Sequence, residues 1–339
     1  MKHLVFICTL FFVFIGQAQK SDFEKINFDK ADSIASSHEG ASLKNLPILT
    51  YKLTQNLDTQ VEQFRAIYSW VCHNIESDHS FGETTLRKRR KLKNDSLSFS
   101  NWNNQVLSKV FKRLLVNKKT ICSGYAYLIK ELSALAGIEC EIVNGYSRNT
   151  TRNVGQVDFP NHSWNAVKLN DSWYLVDATM ASGYFDVGEN KFIKDYNDGY
   201  FLAAPSLFIT RNYPINKTWL LLENKPSLNQ FVKGPIVYGK TFKNSVTPIS
   251  PETLVTTIAA GESVLFKFKI KNKTKIENTR LIINKGLGSE TIKVNPKNCN
   301  NDIIELEHQF SKKGNYDVHL MVNTDFVVSY TVRVEKGKI

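Results

Sequence analysis

At Gly137 the spacing of apolar residues changes from that of helices to that of strands, and this change sets the fold class. Upstream, Val61, Phe64, Ile67, Tyr68, Val71 and Ile75 recur at intervals of three and four, which predicts an amphipathic helix starting near Asp58-Thr59. Val106 to Leu115 repeats the pattern, and Ser123 to Ala136 predicts a further helix capped by Gly137. Downstream, Glu139–Val143 reads as a strand and Trp164–Leu169 alternates as a strand does. Asn170-Asp171 makes a turn, and Ser172–Asp177 returns as the second arm of a hairpin. Helices first and antiparallel strands after define an α+β domain. Residues 19–60 read as helical with breaks near Gly40 and Pro47, and the polar, basic stretch 79–101 reads as a long surface loop.

A chain of 339 residues exceeds what one core usually holds, so two domains are expected. Residues 226–250 carry Pro226, Gly234, Pro235, Gly239 and Pro248 with little periodicity, which predicts a linker. Beyond it, residues 251–339 contain strand-like runs at 253–259, 263–270, 279–283, 291–294, 302–310, 316–322 and 326–334, the pattern of an immunoglobulin-like β-sandwich. At the other end, Lys2 and His3 precede an apolar run from Leu4 to Ile15 and then Gly16-Gln17-Ala18. That order predicts a secretory signal over residues 1–18, with export to a secreted, periplasmic or cell-surface location. The run is too short to span a bilayer as a helix, so no membrane span is expected after signal removal.

The formal charge of +12 falls to +11 when Lys2 leaves with the signal. Much of the excess lies in Arg87-Lys88-Arg89-Arg90-Lys91 and Lys93. The favoured reading of this basic loop, 87–93, is a solvated surface; the alternative is a contact for an anionic surface. No nucleic-acid motif or interleaved aromatic accompanies it, so a nucleic-acid partner is not expected. Cys72, Cys122, Cys140 and Cys299 are widely and irregularly spaced, which excludes a zinc ribbon or a disulfide-dense scaffold. Cys72 and Cys140 sit among apolar residues and read as buried small hydrophobes, with a single bridge as the alternative. No acidic loop has calcium-site spacing and no Cys/His cluster has zinc spacing, so neither metal nor cofactor is expected.

Cys122 differs from the other cysteines because it stands where a loop enters the predicted Ser123–Ala136 helix. A thiol attacks a carbonyl as thiolate, and a helix N-terminus favours that charge while offering N–H groups to an oxyanion. An imidazole partner is also needed, and His162 is the one histidine after Cys122 within the same predicted domain. Pairing about Asn170-Asp171 places residue 162 opposite 179, so the Asp177 carboxyl comes within side-chain reach of His162. The hairpin thus pre-assembles a base and its orienting acid, and the helix delivers the nucleophile.

Thr120-Ile121-Cys122-Ser123-Gly124-Tyr125-Ala126, Gly137-Ile138-Glu139-Cys140, Asn144-Gly145-Tyr146, His162-Ser163-Trp164-Asn165 and Trp173–Thr179 together resemble the transglutaminase-like superfamily. Phe64–Val71 with Asn74-Ile75 resembles the helix preceding its core. Tyr200-Phe201-Leu202, Pro205, Phe208-Ile209 and Pro214 resemble its kyphoscoliosis peptidase branch. The resemblance covers roughly residues 25–225, within a domain bounded at 19–225. It implies a papain-like α+β core with Cys122 as nucleophile, His162 as general base and Asp177 as orienting acid, and it suggests that an immunoglobulin-like domain follows. It leaves the oxyanion partner open, with Trp102 and Gln105 as candidates, and Thr120 departs from the glycine common in the family at that position. The expected function is secreted, cysteine-dependent acyl transfer on protein or peptide amides through a thioester, with hydrolysis ranked first. The alternatives are protein cross-linking and a non-catalytic surface-binding module that retains the fold.

Overall fold

The computed structural model describes residues 19–186, 188–270, 277–285, 291–296, 298–300 and 302–336; the predicted signal segment and the Cys299 side chain lie outside what is described. Three helices build the first layer: α1 (Asp29–Ser37), α2 (Leu46–Thr54) and α3 (Gln60–Asn74). Pro47 starts a helix rather than breaking one, since it sits in the first turn of α2, where Asn45 caps the Ile48 N–H at 3.0 Å. Thr59 and Glu62 close a reciprocal capping box at the head of α3. The five predicted apolar positions of α3 and Ile75 at its C-cap are buried, but so are Arg65, Ser69, Trp70 and Cys72. The helix is central, so its polar side is also covered. Arg65 tolerates burial because its fork meets Asp32 of α1 at 2.7 and 2.8 Å, meets Asp198 as well, and lies over the Phe201 ring.

The expected loop at 79–101 is instead helical, as α4 (His79–Leu92) and the start of α5 (Ser96–Asn117). Asp78 and Asp95 cap the two helices through the N–H groups of Phe81 and Ser98. Both helices bury little: Thr85 in α4, and Val106, Val110 and Leu114 in α5. With so narrow an inward stripe the apolar period is faint, and local capping carries the signal.

After α6 (Cys122–Leu135) comes a four-stranded sheet of β1 (Cys140–Ser147), β2 (His162–Leu169), β3 (Ser172–Val176) and β4 (Asn212–Pro214), in the order β3-β2-β1-β4 and antiparallel throughout. Asn170 and Asp171 both take positive φ, 48° and 62°, as a tight two-residue hairpin turn requires. Leu169 pairs with Ser172 and Asn165 with Val176, which is the predicted register. The buried Asn165 amide donates to the Ala126 carbonyl of α6 at 2.9 Å, so one polar side chain fixes the helix on the sheet. Cys72 and Cys140 are buried free thiols.

The C-terminal part is a two-sheet β-sandwich that fits an immunoglobulin-like domain. One sheet holds Val246–Ser250, Ser263–Ile270, Ile303–Gln309 and Asn298–Asn300; the other holds Val255–Ala259, Asp325–Glu335, Gly314–Val322, Thr279–Lys285 and Thr291–Val294. Phe266 and Phe268 meet Tyr330 across the sandwich with ring centroids 5.3 and 6.2 Å apart. The expected linker, 226–250, is built structure. It carries the helices Leu228–Lys233 and Gly239–Lys243, pairs Ile236-Val237 with the Asp325–Glu335 strand, and supplies Val246–Ser250 to a sheet. Its prolines and glycines punctuate short elements rather than free chain. Phe242 stacks on Tyr200 of the first domain at 4.1 Å, and the Asn197 amide donates to the Gly239 carbonyl at 2.7 Å. Arg148, buried to 4% exposure at the end of β1, donates to the carbonyls of Phe231 and Gly234 at 2.7 Å.

Arg148 is therefore expected to hold the connector against the sheet. Replacing it with alanine takes the guanidinium donors from both carbonyls, leaving Phe231 only its 3.3 Å bond from the Gly234 N–H, and Arg148→Ala is expected to cost about 2 kcal/mol of stability, read by denaturant unfolding. Hydrogen exchange should speed up first over residues 228–237.

Candidate active site

Cys122 is the first residue of α6, where the early N–H groups have no acceptor within the helix. Its thiol is half-buried. The N–H groups of Gly124 and Tyr125 both return to the Ile121 carbonyl. Thr120, fully buried, fills the space that a Cβ at position 124 would need, since that Cβ would sit 1.9 Å from the threonine Oγ1. The threonine that departs from the family pattern is thus matched by the glycine two residues after the cysteine.

His162 opens β2 opposite Gly145 of β1 and is 7% exposed. Its Nε2 lies 2.7 Å from Asp177 Oδ2, so Nε2–H donates to the carboxylate and Nδ1 remains for the thiol. Asp177 follows β3 and is fully buried. It also caps the short helix Ala178–Ala181, with Oδ1 accepting from the Met180 N–H at 3.1 Å. A second donor to Oδ2 is the Asn212 amide of β4, at 3.1 Å. The structure therefore brings Cys122, His162 and Asp177 together. Asn212 is the site residue that sequence reasoning missed. Its signal was available only as register: β4 pairs with the same Gly145 that faces His162. A Cβ at 145 would meet the Tyr213 carbonyl at 2.2 Å, so only glycine there lets β4 approach closely enough to reach Asp177.

The electrostatics follow from the geometry. Burial pulls the His162 imidazole down, but the Asp177 charge and hydrogen bond, helped by Cys122, outweigh it and raise its pKa to about 10. Burial pushes the Cys122 thiol up; the His162 partner, the Arg89 guanidinium and the Ser163 N–H together bring it below the ordinary thiol value. The two shifts act together, moving His162 towards the imidazolium and Cys122 towards the thiolate. Of the two oxyanion candidates, Trp102 is half-buried and Gln105 exposed, both on α5. Asn103, also on α5, accepts from Arg89 Nε through its Oδ1 at 2.8 Å.

A helix-borne cysteine facing a hairpin-borne histidine–aspartate pair, in an α+β core, defines a transglutaminase-like domain. Residues 48–178 match the family model of the transglutaminase-like superfamily, and the chain carries a domain of that family. Kyphoscoliosis peptidase of Homo sapiens is 31% identical over 311 residues, covering 85% of this chain and 43% of the relative. The Mus musculus protein of the same name is 33% identical over 241 residues, covering 70% and 33%. Hillarin of Drosophila melanogaster is 26% identical over 234 residues, covering 65% and 26%. The chain spans less than half the length of these curated relatives.

Because the imidazolium holds the thiol low, alkylation of Cys122 by iodoacetamide is expected to have its pH midpoint below the free-thiol value of about 8.5. Asp177→Asn removes the charge that sustains the imidazolium, so the midpoint should move up towards that value. Asn212→Ala should move it in the same direction by a smaller step. Rates measured between pH 5 and pH 10 check all three; a wild-type midpoint at the free-thiol value contradicts the assignment.

Proposed function

We propose that the domain is a cysteine-dependent acyl-transfer enzyme, exported as its N-terminal segment suggests, acting on protein or peptide amides. The Cys122 thiolate adds to the amide carbonyl, and the His162 imidazolium passes its proton to the leaving nitrogen as the C–N bond breaks. The products of this half-reaction are a thioester on Cys122, a free amine and neutral His162. His162 then takes a proton from the incoming nucleophile, which attacks the thioester and regenerates the thiolate–imidazolium pair. Asp177 orients the ring and balances its charge throughout. The backbone N–H groups at the α6 start are the oxyanion donors that the arrangement favours over Trp102 or Gln105.

The observation that carries this reading is the buried 2.7 Å contact between His162 Nε2 and Asp177 Oδ2, set beside a cysteine at a helix start. A module that only binds has no need to bury a titratable pair against a thiol. Water as acceptor gives a protease or amidase, and a lysine amine gives a cross-link. Hydrolysis is ranked first because it needs one bound macromolecule, and relatives named peptidase support that order.

Incubation of the protein with a protein mixture and a labelled primary amine, followed by mass spectrometry, separates the outcomes. New peptide termini are expected, with amine incorporation as the cross-linking alternative. Cys122→Ala is expected to abolish either signal, and His162→Ala to lower it by about 10²–10⁴-fold. Full biological activity in Cys122→Ala would instead favour the non-catalytic binding module.

A further inference from the structure

The basic stretch 87–93 covers the end of α4 and its C-cap, Lys93, and its side chains divide between two faces. Leu86, Arg89, Arg90 and Lys93 are spaced three, four and seven residues from the first, so they form one stripe. Lys88 and Lys91 project from the opposite side. Three of the stripe's four residues, Leu86, Arg90 and Lys93, line one side of a cavity of about 320 Å³ whose other side includes Arg152, Phe159 and Asn161 among residues 151–161; Arg89 stands beside the cavity, outside its lining. That second wall runs directly into His162, the chain neighbour of Asn161. One peptide bond thus separates the cavity lining from the imidazole-bearing residue.

Its walls are fixed before anything binds. Arg90 Nε and Lys93 Nζ share one carboxylate, Asp158, at 3.0 and 2.7 Å, and the Arg90 guanidinium lies 5.9 Å from the centre of the Phe159 ring. Arg152 pairs with Glu83. Asn161 and Asn153 brace the segment, with Asn161 Oδ1 accepting from the Ser147 N–H at 2.7 Å. Arg89 is half-buried, and the Asn103 amide oxygen, a neutral acceptor, receives its Nε–H. Three cations, Arg90, Lys93 and Arg152, thus face two carboxylates, Asp158 and Glu83, and Arg89 next to them on the helix is held by a neutral amide. Positive charge is in surplus on the side nearest Cys122, where the Arg89 field reaches the thiol.

We propose that this cleft and the Arg89 guanidinium beside it form a substrate subsite that selects acidic peptide segments: Arg89, next to the thiol, receives a carboxylate close to the acyl group, and the Arg90–Lys93–Arg152 wall of the cleft receives a second acidic side chain further along. The proposal rests on the acyl-transfer reading of Cys122 and adds its substrate class. A planar guanidinium held by a neutral amide keeps donors for a bidentate carboxylate contact.

The test compares alkylation of Cys122 in the full chain by iodoacetate, which is anionic, and iodoacetamide, which is neutral. The ratio of the two rates cancels the thiolate fraction, so it reports the local field and not the thiol pKa. Relative to N-acetylcysteine, the wild-type ratio is expected to favour iodoacetate by about fivefold at low salt, with the preference fading as salt rises. Arg89→Gln should remove it. In a second arm, a glutamine peptide flanked by glutamates should protect Cys122 from iodoacetamide at lower concentration than the same peptide flanked by lysines. Arg90→Gln/Lys93→Gln should raise the protecting concentration about tenfold. Lys88→Gln/Lys91→Gln, an equal charge loss on the opposite face, should leave it unchanged. An unaltered ratio in Arg89→Gln, or equal protection by the two peptides, would overturn the proposal. Slow alkylation of Cys122 by iodoacetamide alone would instead count against acyl transfer, and the ratio can be read at any absolute rate.

Discussion

The contact on which the site depends is the one between the buried Asp177 carboxylate and the His162 imidazole. A fully buried carboxylate is costly unless its oxygens are satisfied. Here His162 and Asn212 donate to one oxygen and the Met180 N–H donates to the other. Each donor comes from a different element, so the charge can be buried only when β2, β4 and the Ala178–Ala181 helix are in place together. The carboxylate then acts outward: it keeps the imidazole protonated, and the imidazolium keeps the thiol low. Folding and the charge state of the site are linked through one side chain.

The rest of the domain supports that contact. The Asp177 N–H donates to the Tyr200 carbonyl, and the Tyr68 hydroxyl donates to the Asp177 carbonyl. Tyr200 and Phe201 are buried against Phe242 and against Phe64 and Tyr68. Arg65 pins the turn before them through Asp198 and ties it to α1 through Asp32. The residues 200–202 that resemble the kyphoscoliosis peptidase branch therefore pack behind the acid rather than contacting the thiol. Through Phe242 the same wall continues into the connector and the sandwich.

The site was legible wherever local chemistry and pattern agreed. The turn residues Asn170-Asp171 set a register that carried Asp177 to His162, and a helix over Ser123–Ala136 was readable from its composition, one residue from the observed start at Cys122. The strands of the sandwich alternate between buried and exposed positions, which period two reveals directly, as in Ser263–Ile270. What stayed hidden depends on tertiary closeness or on weak periodicity. Asn212 lies 35 positions from Asp177, and only the glycine at 145 allows their strands to converge. The α4 helix is mostly polar, so its caps defined it and its apolar spacing did not. The connector 226–250 is short elements whose burial comes from both neighbours, and its composition alone resembles free chain.

The measurement that tests the central claim most directly is the titration of the His162 ring, followed by ¹⁵N NMR in the full chain. The account requires the imidazole to stay doubly protonated through neutral pH and to titrate near 10, with the midpoint falling in Asp177→Asn. A ring that loses its proton near the ordinary histidine value of about 6.5, unaffected by the change at Asp177, would contradict it.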